Sequence, residues 1–299
     1  MLREEIGRIL ERSDYDYSEY SGCFDIIARK QEVILLKVLE NVDSFQEEQS
    51  DNLKTLSSNL DASPALVGIW TRREKLHDNV IYDRFDIPTF TPKTLENILV
   101  HNINPLIYRF RGGFFAEVDP ELLRDAREGR GFSQSELAEK LGTTKKNVYE
   151  HERKMMKSKY VIAKKMERLL GSVTRSIDFT SFSFEEAGKE PRTAFERAIS
   201  KELKRKGFGT SFVYQAPFNI IAKTHDKERF LVFSDAEENE KRVEKNEGYM
   251  LAFSEITEKP VIVVTKKRME LEIPVIPADE LKEMTKRDIV RAAKKGDGS

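Results

Sequence analysis

Phe24-Asp25-Ile26-Ile27-Ala28-Arg29 returns near the other end of the chain as Phe218-Asn219-Ile220-Ile221-Ala222-Lys223, and this match decides how most of the sequence is read. Outward from each copy, the same segments follow in the same order. Upstream, Leu2, Ile6 and Leu10 recur at helical spacing, mirrored by Phe195, Ile199 and Leu203. Downstream, the apolar run 33–39 is mirrored by 229–233, and a polar, helical span comes after each. Residues 65–73 then match 260–267, and Ile87-Pro88 leads to Leu95 as Ile273-Pro274 leads to Leu281. Each repeat thus predicts helix, strand, strand, helix, strand, short strand, helix. Strands that are apolar throughout have to be covered on both faces, so each repeat is expected to be a small α/β domain.

Between the repeats, residues 133–153 read SQSELAEKLGTTKKNVYEHER. Ser133 can cap a helix with Glu136 three residues on, and Gly142 supplies a permissive backbone where that helix ends. Thr143 or Thr144 caps the next helix. Leu137, Leu141 and Val148 are spaced to bury one side of each, and Ala138 is small where the two must cross closely. From Thr143 to Arg168 the cations Lys145, Lys146, Arg153, Lys154, Lys157, Lys159, Lys164, Lys165 and Arg168 face only Glu150, Glu152 and Glu167. Such a stripe suits phosphates. The plain structural alternative is an αα-hairpin with a solvated lysine face.

Residues 119–171 resemble the Cro and lambda-repressor type of helix-turn-helix. In that family a glutamine at the place of Gln134 touches backbone phosphate, and residues at the places of Lys145, Lys146 and Tyr149 read base edges in the major groove. With Thr144 and Arg153 these make up the implied DNA-binding set. Glu150 and Glu152 depart from the pattern: they must face away, accept from a cytosine amino group, or pair with Arg153 or Lys154.

The order of elements in the repeats resembles the restriction-endonuclease-like fold, including archaeal Holliday-junction resolvases. Their motif sets an Asp at the end of one strand and Glu-x-Lys on the next, where the carboxylates hold a divalent metal and the lysine positions the attacking water. Asp25 matches the Asp and Lys37 the Lys, but Leu35 stands in place of the second acid. In the second repeat Asn219 replaces the Asp, and the lysine position falls near Phe233 or Ser234. Glu47 or Glu48 remains as a migrated acid. The resemblance therefore implies degenerate repeats in which no residue is catalytic or binds metal, with a metal-dependent, structure-selective nuclease as the alternative. The whole arrangement resembles a family of archaeal transcriptional regulators over nearly the full chain. The expected fold class is α/β repeats, degenerate restriction-endonuclease-like, flanking an all-α Cro/lambda-repressor-like helix-turn-helix domain.

Composition bounds the rest. The 299 residues carry a formal net charge of −1 although 34% are charged, so the basic stripe is local. No apolar run is long enough to span a bilayer, and Met-Leu-Arg-Glu-Glu lacks the form of a signal peptide, so a cytoplasmic protein without membrane contact is expected. Cys23 alone forms no internal disulfide and reads as a small packed residue. Four scattered histidines make no zinc cluster, and no cofactor is expected. Expected domains are repeat one at 1–100, a β-hairpin connector at 101–118 turning at Gly112-Gly113, the helix-turn-helix at 119–171, a linker at 172–192, repeat two at 193–285, and a frayed basic tail at 286–299. The expected partner is double-stranded DNA, bound by a homodimer because one small reading head covers few base pairs. An unknown effector or a partner in the transcription machinery is compatible with this. So is an architectural or repair-associated role without sequence preference.

Overall fold

The computed structural model describes residues 1–225, 228–235 and 240–295. The first third of the chain forms α1 (Leu2–Arg12), β1 (Asp16–Glu19), β2 (Ile26–Arg29), β3 (Val33–Asn41), α2 (Glu47–Leu60), β4 (Ala62–Trp70), β5 (Val80–Arg84), β6 (Ile87–Phe90) and α3 (Pro92–Leu99). The middle forms β7 (Ile107–Phe110), β8 (Gly113–Val118), α4 (Pro120–Gly129), α5 (Gln134–Leu141), α6 (Lys145–His151), β9 (Met156–Lys159), α7 (Tyr160–Leu170) and β10 (Thr174–Arg175). The last third forms α8 (Ala194–Arg205), β11 (Gly209–Phe212), β12 (Ile220–Lys223), β13 (Arg229–Asp235), α9 (Glu240–Thr257), β14 (Val261–Thr265), β15 (Val275–Pro277), α10 (Ala278–Glu283) and α11 (Lys286–Lys295).

The chain divides into two compact units that do not follow the boundaries read from the sequence. One holds Met1–Val38, Ser44–Ala65 and Thr180–Ser299, and the other Leu39–Asp43 and Leu66–Phe179. The chain passes from one to the other inside β3 and β4.

In the first unit the repeat is visible as topology. Strands β1, β2 and β3 pair antiparallel, and so do β11, β12 and β13. Strand β14 then adds parallel to β13, and β15 parallel to β14. The sheet lies in the order β11-β12-β13-β14-β15, as its counterpart begins β1-β2-β3-β4. Strands β1 and β11 were absent from the sequence expectation. Residues 16–19 and their flanks are polar and stay largely open to water, so no hydrophobic period marks them.

The two repeats lean on each other reciprocally. Phe253 on α9 packs tilted against Phe24 of repeat one at 5.6 Å and edge-on against Phe218 of repeat two at 4.9 Å, and Tyr20 meets Tyr249 edge-on at 5.2 Å. From the other side, the Tyr214 amide donates to Asn52 Oδ1 on α2 at 2.9 Å. The Cys23 amide donates to the Gln215 carbonyl at 2.8 Å. This last contact needs Gly22, because a Cβ there would lie 1.9 Å from the same carbonyl oxygen. Beside it Cys23 is fully buried, which pushes its thiol up to about 12.

The expected frayed tail is instead helical over its described part. Helix α11 buries Ile289 and Ala293 in the core beneath α8 and β14, because these residues fall on one helical face while Arg287 and Arg291 fall on the other. Residues 296–299 lie outside the described residues.

The second unit is built on strands in the order β4-β6-β5-β7-β8, with β9 and β10 also pairing to β8. The hairpin β7–β8 turns at Gly112-Gly113 and is part of a larger sheet, since β5 pairs parallel to β7 and β9 antiparallel to β8. Three further expectations change. The strand predicted over 65–73 ends at Trp70, and β5 is an added strand before β6. The stretch 119–171 is not all-α, because Met156–Lys159 forms β9. With one apolar residue, Met156, in four, this short segment carries no strand signal of its own, and β8 recruits it. The linker likewise supplies β10, and its buried Phe179 packs on Phe90 at 5.4 Å. No helix among the described residues is long and apolar enough to cross a membrane.

Candidate nucleic-acid interface

Helices α4 to α7 enclose a small core of Leu123, Leu137, Ala138, Leu141, Val148, Met166 and Leu170, joined by Val118 and Val173. Local sequence sets the starts of α4, α5 and α6 and the end of α5. Asp119 caps α4 by accepting from the amides of Glu121 and Leu122, with Pro120 in the first turn. Ser133 and Glu136 form a reciprocal capping box on α5, and Gly142 closes that helix at φ 69°, ψ 39°. The Thr144 hydroxyl then accepts from the Asn147 amide and starts α6, while the Asn147 side chain donates to Thr143. Lys165 from α7 donates to the Leu141 carbonyl at 3.4 Å, putting a cation on the end of α5.

With Val148 buried, the opposite side of α6 is open. Thr144, Lys145, Lys146 and Arg153 are exposed, and Tyr149 is 43% exposed. Lys145 and Lys146 make no side-chain hydrogen bond or ion pair among the described residues. Arg153 lies over the Tyr149 ring at 5.3 Å and donates to its hydroxyl at 3.2 Å. The six residues singled out in the sequence thus lie on two consecutive helices and the turn between them, except Arg153, which stands just past α6.

Gln134 is half-buried, and its neighbour was missed by the sequence reading. Its amide nitrogen donates to Glu152 Oε2 at 2.7 Å, leaving a second N–H for another acceptor. Glu152 is only 3% exposed and is gripped by Arg127 of α4, with Nε to Oε1 at 2.5 Å and Nη2 to Oε2 at 3.2 Å. These bonds raise the Arg127 pKa, with the side-chain hydrogen bond to Glu152 the largest cause. Arg124 adds a bond to the Glu152 carbonyl at 2.7 Å. Glu152 therefore pairs neither with Arg153 nor with Lys154. A partner 25 residues upstream takes it, because a carboxylate that close to the core needs a planar bidentate donor buried with it. Glu150 does pair with Lys154, at 3.4 Å.

The positions matching a nuclease motif are closed on themselves. Asp25 is 1% exposed, and its Oδ1 meets Arg3 Nη2 at 2.5 Å and Lys37 Nζ at 3.2 Å. Its Oδ2 takes the Val38 amide at 2.8 Å, and Lys37 also donates to the Gly22 carbonyl at 2.8 Å. In the second repeat Asn219 donates to Glu196 Oε1 and to the Ser234 carbonyl, both at 3.0 Å. Glu48 pairs with Arg192. Among the described residues no three His, Cys, Asp or Glu side chains gather into a set fit for a metal ion.

Residues 1–105 match a family model described as a PD-(D/E)XK superfamily domain. The carboxylate of this matched segment that stands at the motif position, Asp25, is tied up by two cations, Arg3 and Lys37. Over most of its length the chain is similar to proteins named "Putative HTH-type transcriptional regulatory protein". The relative from Pyrococcus furiosus is 34% identical over 90% of this chain and 87% of its own. Those from Thermococcus gammatolerans and Methanocaldococcus jannaschii are 32% and 31% identical, over 95% and 88% of this chain and 92% and 85% of theirs. The chain belongs to this family of archaeal proteins. No solved structure matches it.

Proposed function

We propose that this protein is a sequence-specific regulator that binds duplex DNA through a Cro/lambda-repressor-type helix-turn-helix spanning residues 119–171. The observation that carries the reading is the sidedness of α6: Val148 is sealed in the core while Lys145 and Lys146 project unpaired from the first turn, with Tyr149 one turn on. In that role Lys145, Lys146 and Tyr149 meet base edges, while Thr144 and Arg153 flank them on the backbone. Gln134, steadied by Glu152, gives its remaining N–H to a phosphate. The relatives' names support a regulator.

In this reading the nuclease-like repeats are scaffold. A metal held beside a scissile phosphate needs carboxylates free to ligate it, whereas Asp25 is spent on Arg3, Lys37 and an amide. The nuclease alternative rests on the superfamily match and on Asp25 and Lys37 standing at motif positions. Double-stranded DNA is the partner, read by a homodimer. The aromatic surface between the repeats is already used within one chain, so a second copy must pair elsewhere.

Mapping bound sites across the genome, followed by competition of the recovered site against random duplex, tests the function. A cognate site preferred by a factor of roughly a thousand or more is expected. Equal binding to both would move the protein to the architectural class.

A further inference from the structure

Strand β4 is buried for seven residues and then breaks into solvent at its end, leaving Trp70 47% exposed. This is the only tryptophan of the chain. An indole open to water keeps a broad apolar ring available for stacking, and cations stand beside this one. The loop that follows is rich in such cations: Arg72, Arg73 and Lys75 are all exposed.

The loop backbone is held firmly while its cationic ends are not. Leu76 donates to the Ile69 carbonyl at 2.8 Å, Trp70 and Lys75 form an antiparallel bridge, and the Arg72 amide is fixed on Asp43 Oδ2 at 2.7 Å. Lys75 stands over the indole with its ammonium 5.8 Å from the ring centre. The side chains of Arg72 and Arg73 make no hydrogen bond or ion pair among the described residues. Both nearby acids are engaged: Glu74 faces Arg109 at 3.7 Å, and Asp43 pairs with Arg84 at 2.8 Å. Arg109 itself lies on the Phe114 ring at 4.9 Å. The loop therefore presents an exposed indole, with Lys75 over its ring, framed by the guanidinium groups of Arg72 and Arg73, which make no ion pair among the described residues.

We propose that Trp70, Arg72, Arg73 and Lys75 form a second nucleic-acid site, which takes unpaired DNA by stacking a base on the indole and placing phosphates on the cations. In a duplex the base faces are hidden in the stack, so an indole finds one only where the strand is open. Strands β5, β7, β8 and β9 are neighbours in that order, so three spacings, on the order of 15 Å, separate the strand after this loop from the strand after α6. One DNA molecule spans that distance. The protein would then hold an opened segment beside the duplex that α6 reads.

The sole tryptophan makes the test direct. The full chain is titrated with a short fluorescently labelled oligothymidylate, following both strand anisotropy and tryptophan emission, with a blunt duplex of equal length in parallel. Emission is expected to fall in step with strand binding and to stay nearly constant with duplex. Trp70→Ala should weaken strand binding roughly five- to hundredfold, while Trp70→Phe keeps most of it. Arg72→Ala combined with Arg73→Ala should lower the salt slope by about 1.4. Each variant is checked for retained duplex binding, which reports a folded α6. The proposal is overturned by absent strand binding, by strand binding without an emission change, by equal quenching with duplex, or by a folded Trp70→Ala protein that binds strand as the parent does. None of these results touches the reading by α6, which Lys145→Ala probes separately.

Discussion

Asn219 stands in the second repeat where Asp25 stands in the first, and both act as a clamp between adjacent strands. Asp25 Oδ2 accepts the Val38 amide at 2.8 Å, and Asn219 Oδ1 accepts the Ser234 amide at 2.9 Å. The clamp survives in both repeats, but only the first builds it with a charge. There Lys37 and Arg3 balance the carboxylate, whereas in the second Glu196 accepts from the amide and Phe233 fills the place that corresponds to Lys37.

Removing that charge should therefore destabilise the fold. Asp25→Asn leaves the buried Lys37 ammonium without its counter-ion, at a cost of about 3–5 kcal/mol. Denaturant unfolding of parent and variant measures it. A difference under about 1 kcal/mol would mean that the buried pair is solvated after all.

Hydrolysis of DNA is expected to be absent. Purified protein with magnesium or manganese should leave duplex, flap and four-way-junction substrates intact. Cleavage that disappears in Asp25→Ala would refute the scaffold reading, and Glu47 would then be tested first as the missing acid, because Glu48 is paired with Arg192.

Lys145→Ala should cost about 1–3 kcal/mol at the preferred site and relax specificity at one position. A phosphate contact behaves differently and weakens all sequences alike. Competition between cognate and random duplex distinguishes them, and a uniform loss would move Lys145 to the backbone.

His151 predicts a pH dependence of stability. It is buried, its Nδ1 has no hydrogen-bond partner, and desolvation lowers its pKa in the folded protein. An unfolded histidine binds a proton near pH 6.5, so the unfolded state takes up protons first on acidification. Stability is full above about pH 6.5 and is lost as pH falls toward the depressed folded value. Thermal unfolding at neutral and mildly acidic pH should show this loss, and His151→Gln should reduce it. An identical loss in the variant would assign the effect to other groups.

A dimer should protect two half-sites about 10 base pairs apart, or a multiple of that, centre to centre. Footprinting together with solution mass decides the point. A single asymmetric footprint with a monomeric mass would sink the dimer.

The helical caps of α5 and α6 were legible residue by residue, because Ser133, Glu136, Gly142 and Thr144 act on backbone groups within four positions of themselves. The repeat was legible too, since apolar spacing and order are properties of the chain alone. What the sequence could not reveal were relationships that depend on distant segments meeting. For Glu152 the sequence left open facing away, a cytosine amino group, or Arg153 or Lys154 as partner, and burial selected Arg127, the donor packed beside it. Strand β9 carries no apolar signal, and its pairing is supplied by β8. The tail was read as frayed until Ile289 and Ala293 found a core to enter. Local hydrogen bonding and periodicity are written in short stretches of sequence, whereas the partner of a buried charge or a polar strand is chosen by whichever group the packed chain brings to it.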